Sequence, residues 1–104
     1  MVNPLAGEVE ITIDGVAHRC KLTLGAMAEL EGALGADSLV DLVKRFEAGQ
    51  FSSRDVMALI VAGLRGGGWQ GDAADLMSAD IAGGAVGAGQ AAAMLLVRAF
   101  TPPA

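Results

Sequence analysis

The sequence predicts an α+β fold, an N-terminal two-stranded antiparallel β-hairpin packed on a bundle of about five short helices. Three observations lead there. Apolar residues alternate from Glu8 to Leu22 around an Asp14-Gly15 pair, helical stripes headed by capping residues recur from Leu24 onward, and glycines or prolines separate the stripes. At 104 residues the expectation is a single domain, 1–104, made of the hairpin over 8–22 and a helical part over 24–101. A chain of this length buries roughly two-thirds of its unfolded surface, enough for one core. With only four aromatic residues, that core must be filled by Ala, Val, Leu, Ile and Met.

The hairpin comes first. Val9, Ile11 and Ile13 alternate before Asp14-Gly15, and Val16, His18, Cys20 and Leu22 alternate after it. A two-residue type I′ turn requires positive φ at both central positions, which Asp and Gly accept. Pairing outward from the turn sets Ile13 opposite Val16, Ile11 opposite His18 and Val9 opposite Cys20, making one apolar face. The same register sets Glu10 opposite Arg19 and Glu8 opposite Lys21 on the other face, as two favourable charge pairs.

The helices follow. Thr23 is an N-cap for a helix carrying Met27, Leu30 and Leu34, ended by Gly35. Ser38 with Asp41 forms a capping box ahead of Leu39, Leu42, Val43 and Phe46, and the helix stops before Gly49. Ser52 with Asp55 repeats that signal ahead of Val56, Leu59, Ile60 and Leu64, and this helix runs out in Gly66-Gly67-Gly68. Asp72 and Asp75 open a short helix expected to carry Leu76, Met77 and Ile81 up to Gly83-Gly84. The last helix spans about Val86 to Phe100, and Pro102-Pro103 forbids its continuation.

Composition and motifs then exclude whole classes of function. A net charge of −5 repels phosphate backbones, which argues against nucleic acid as a partner. Cys20 is the single cysteine, so no intramolecular disulfide forms, and the expected location is the cytoplasm. Met1-Val2-Asn3-Pro4 lacks the basic and apolar regions of a signal peptide, and no uninterrupted apolar run of about 18 residues suggests a membrane span.

Gly66-Gly67-Gly68-Trp69-Gln70-Gly71 fits the spacing G-x-G-x-x-G, but it follows a helix where a dinucleotide site needs a strand, so it reads as a flexible connector. His18 and Cys20 provide too few ligands for a closed zinc site. Glu29 and Glu31, two apart on a helix, point in different directions and cannot act as a paired acid and base. No serine has a histidine near it in sequence, and a triad would have to recruit His18 from the hairpin. The expectation is therefore a protein without catalysis, cofactor or metal. A helix-turn-helix regulator is suggested by the short turn between the second and third helices. However, Arg54 and Arg65 are separated by Met57, Leu59, Ile60 and Val61, a poor surface for bases and phosphates.

The C-terminal segment is the most informative for function. Between Ile81 and Ala104 the single charged side chain is Arg98, and Gly83, Gly84, Gly87 and Gly89 weaken helix formation, so this element depends on docking. One reading seats it wholly within its own core. The other makes part of it an adaptable surface for a hydrophobic partner or a second copy, through Met77, Met94, Leu95 and Phe100. Trp69 either joins that surface or caps the core.

The chain also resembles the small tail proteins of gene transfer agents and long-tailed phages described as tail assembly chaperones. The resemblance runs through Gly7-Glu8-Val9-Glu10-Ile11 with Asp14-Gly15, then Leu24-Gly25-Ala26-Met27-Ala28-Glu29-Leu30-Glu31 and Leu34-Gly35. It continues through Ser53-Arg54-Asp55-Val56, Ala58-Leu59-Ile60 and Ala62-Gly63-Leu64-Arg65. It is close over about residues 6 to 65 and rests beyond that on length and helical character. The resemblance implies a cytoplasmic protein that holds the aggregation-prone tail tape measure protein and helps tail tube subunits assemble around it. Some members of that family are labelled tail tube proteins, which implies the alternative of a structural tail tube or minor tail component.

Overall fold

The computed structural model describes residues 2–35 and 38–101. After a single 3-10 turn at Pro4–Ala6 come strands β1 (Glu8–Ile13) and β2 (Val16–Lys21). Five helices follow: α1 (Leu24–Leu34), α2 (Leu39–Glu47), α3 (Ser53–Gly66), α4 (Ala73–Met77) and α5 (Gly84–Ala99). This is the α+β architecture expected from the alternation and the caps.

The hairpin register is the expected one, from Ile13 opposite Val16 through Ile11 opposite His18 to Glu8 opposite Lys21. Asp14 and Gly15 both take positive φ, 50° and 79°, as a type I′ turn demands. Val9, Ile11, Ile13 and Cys20 are buried on one face. Val16, expected on that face, is 57% exposed at the turn end of β2. The charges stand in the expected register, Glu10 opposite Arg19 and Glu8 opposite Lys21, with one further contact across the diagonal. Arg19 Nε lies 3.7 Å from Glu8 Oε2, a diagonal contact, while the other Glu8 oxygen accepts the Asn3 N–H at 2.7 Å.

α1 to α4 each begin where a side chain satisfies an N–H group left free by the first turn, whereas α5 starts at Gly83 without a side-chain cap. Thr23 accepts the Ala26 N–H at 3.1 Å, and reciprocal capping boxes join Ser38 to Asp41, Ser52 to Asp55 and Asp72 to Asp75. α3 is central and touches β2, α1, α4 and α5. Its Leu59, Ile60 and Leu64 are fully buried with Leu30 of α1, Leu42 of α2 and Leu95 of α5 in one apolar cluster. α2 is fastened to the start of α3 by a two-pronged ion pair, with Arg45 Nε and Nη2 donating to Asp55 at 3.0 and 2.9 Å. Phe46 and Phe51 stack beside it, their centroids 4.4 Å apart.

Two expectations need correction. Ile81 does not extend α4, which ends at Met77. It forms an antiparallel bridge with Ile13, flanked by Asp14 N–H to Asp80 O at 2.8 Å and Ala82 N–H to Thr12 O at 3.0 Å. The outer edge of β1 is thus covered near the turn by a short returning segment, and those backbone groups no longer need water as a partner. Nor is the glycine run a slack connector. At Gly66 and Gly67, a Cβ would collide with the carbonyl oxygens of Lys21 and Arg19, so the end of α3 lies directly against the outer edge of β2. Only glycine permits an approach this close.

Candidate partner-binding surface

α5 is the element whose two faces depart most from an ordinary surface helix. Its inward side carries Ala88, Ala92, Leu95 and Leu96, all buried, with the half-buried Ala91 and Ala99 beside them. Small residues are required there because α5 lies close to β1 and α3. A Cβ on Gly63 would stand only 2.7 Å from Leu95 Cδ1, so Leu95 rests on the bare backbone of α3. Other bulky residues of α5, and Phe100 just after it, face outward. Val86, Val97 and Phe100 are 71%, 59% and 54% exposed, and Met94 is 40% exposed. With Gln90 and Ala93, these residues follow one another at helical spacing along one stripe. Arg98, the only charge between Ile81 and Thr101, is drawn to the flank, where its Nη1 donates to the Glu8 carbonyl oxygen. The outward stripe is left uncharged and, apart from Gln90, apolar along most of a 16-residue helix.

The residues singled out from sequence separate into three environments. Met94 and Phe100 lie on this stripe. Met77, at the end of α4, is also strongly exposed. Leu95 must be removed from the surface set, since it has no accessible area and forms part of the core. Trp69 is half-buried elsewhere, in a cleft of about 480 Å³ that it lines with Thr23, Ala26, Glu29 and Arg65. Its backbone N–H donates to Leu64 O at 2.9 Å, and its ring lies so close to Gly71 that a side chain there would strike it.

A family model described as phage tail tube protein, GTA-gp10, matches residues 6–101. The chain belongs to this family. It is a family of phage and gene transfer agent tail assembly chaperones, and the match takes in α5 along with the hairpin and the middle helices. Among curated proteins and solved structures there is no match.

Against this GTA-gp10 background, the polar groups of the chain serve the fold. Arg65 donates to Glu29 from Nε and Nη2 at 3.0 and 3.2 Å and to the Gly71 carbonyl at 3.0 Å, which ties α1, α3 and the loop after α3 together. The hydrogen bond and charge of Arg65 hold the Glu29 carboxyl below its ordinary range. That guanidinium is therefore committed within the molecule, which further weakens a nucleic-acid reading of α3. Burial pushes the Cys20 thiol up to about 12, far from the thiolate form that reacts or binds metal. Among the described residues, no helix is long and apolar enough to cross a membrane.

Two stripe residues, Val86 and Val97, were not among the sequence candidates. The signal for them was present in the spacing of Ala88, Ala92, Leu95 and Ala99. A row of alanines with one leucine at helical intervals marks a face pressed against a neighbour, which turns Val86, Val97 and Phe100 outward.

Proposed function

We propose that this chain is a cytoplasmic tail assembly chaperone that binds the tail tape measure protein through the outward face of α5 and helps tail tube subunits assemble around it. The observation behind this reading is the uncharged stripe of Val86, Met94, Val97 and Phe100, which the chain's own core leaves uncovered. A client rich in apolar helical stripes aggregates through surfaces of the same kind, and a matching helix face can cover them until assembly. The proposal needs no catalysis, cofactor or metal, and it treats the chain as a single domain. Met94 and Met77 suit such a task because an unbranched thioether adapts to irregular partners. The test is co-expression with a tail tape measure protein from the same genome. The expected result is a soluble complex that survives a change of salt, and persistent aggregation of the client without co-purification would count against the proposal.

A second reading, a tail tube or minor tail component, is favoured by the tail tube wording of the family description. Coverage of the sheet edges weighs against assembly by strand addition, because Ile81 occupies β1 near the turn and the α3 glycines press on β2. Mass spectrometry of purified particles separates the two readings. A chaperone is absent or substoichiometric there, whereas a tube component is abundant.

A further inference from the structure

A second apolar depression lies away from the α5 stripe, between α1 and α3. It is a groove of about 220 Å³ whose floor and walls include Leu30, Ala33, Met57, Ala58 and Val61. On α3, Arg54, Met57, Ala58 and Val61 follow at helical spacing, so they form one continuous strip. The groove continues toward the start of α3 into a more polar depression that shares Ala33, Arg54 and Ala58 with it and also contacts Arg45 and Asp55. Its volume is below the range of about 300 to 1,000 Å³ usual for small-molecule sites, so it suits one or two side chains of a larger partner.

The charges at its rim differ in their commitments. Glu29 is held by Arg65, and Asp55 by Arg45. Arg54 makes no ion pair among the described residues, although it lines both depressions. It is the second residue of α3, where the helix dipole disfavours a cation. An exposed arginine in that position at the rim of an apolar groove is complementary to a carboxylate arriving with a partner.

We infer that the α1–α3 groove is a second docking site, independent of α5, for an amphipathic helix of another protein. The apolar side chains of that helix seat between Ala33, Met57 and Val61, and a carboxylate at its edge pairs with Arg54. A chaperone with two such faces holds two helical segments at once, which raises the effective concentration of the second after the first has bound.

The test uses the full chain and two synthetic helical peptides with the same leucine stripe, one with glutamate at the stripe's edge and the other with lysine there. Binding is followed by amide chemical shifts in NMR titrations. The glutamate peptide is expected to shift resonances around Ala33, Met57 and Val61 and to bind up to about fivefold tighter than the lysine peptide, the scale of an exposed ion pair. Arg54→Glu should reverse that preference. Ala33→Gln, which places a longer polar side chain at an exposed position over the groove, should weaken both peptides by about tenfold. The proposal is overturned if the shifts map to α5, if Ala33→Gln leaves binding unchanged, or if Arg54→Glu does not reverse the preference. It is equally overturned if sedimentation shows a dimer that Ala33→Gln dissociates, since the groove's occupant would then be a second copy of this chain.

Discussion

The two longest helices, α3 and α5, use their apolar residues in opposite ways. α3 turns Leu59, Ile60 and Leu64 into the core and faces the solvent with Arg54 and Arg65 at the two ends of a half-buried strip. α5 turns Ala88, Ala92, Leu95 and Leu96 inward and presents Val86, Met94, Val97 and Phe100. The bulk of α3 is used to build the fold, and much of the bulk of α5 is left for something else. Where both helices approach the hairpin and each other, glycines at 63, 66 and 67 and alanines at 88 and 92 set the spacing, so close contact of backbones takes the place of interlocked large side chains.

This contrast predicts a steep gradient of mutational effects. The largest belongs to the core of α3: Leu59→Ala should cost about 2–5 kcal/mol in urea unfolding, as expected for a large-to-small change at a fully buried site. Next comes Gly66→Ala. Helix propensity alone predicts a gain of about 1 kcal/mol. The fixed Lys21 carbonyl in the path of the new Cβ predicts instead a loss of about 1–3 kcal/mol, so the sign of the measured change decides whether backbone proximity sets this contact.

A smaller effect is expected at Asp55, whose carboxyl is held below the usual carboxylate range by the Arg45 hydrogen bonds and the Ser52 cap. A depressed folded pKa stabilises the protein above the unfolded value of about 3.9 and ceases to do so as pH falls through the folded value. Asp55→Ala should therefore cost about 1–2 kcal/mol near neutral pH, and the gap to wild type should close as pH drops below about 4, followed by thermal melts across that range. The smallest effect belongs to the α5 stripe, where Val97→Ser should change stability by no more than about 0.5 kcal/mol. A large loss there would show that the stripe packs within its own chain.

The elements that were legible in the sequence had local, redundant signals. The hairpin register could be read because alternation, the Asp14-Gly15 turn and the opposed charges all agreed, and α2 and α3 because a capping box preceded each apolar stripe. The features that escaped depend on contacts between distant residues. The bridge of Ile81 to Ile13 involves too short a segment to generate a periodic pattern, and its partners lie far apart in the chain. The glycine run reads as a break from one side and as a packing surface only once the edge of β2 is in place. Leu95 looked like a surface residue because the large side chains of α5 were assumed to share a face, whereas it fills the space left over Gly63, which appears only once α3 is in place.

The proposed function requires the outward stripe of α5 to be a binding face. Its most direct test is to co-purify the tape measure protein with the wild-type chain and with a Val86→Glu, Val97→Glu double variant whose melting temperature is checked alongside. The proposed function predicts that the variant keeps its fold and loses the complex. A variant that folds normally and still recovers as much client as wild type would contradict it.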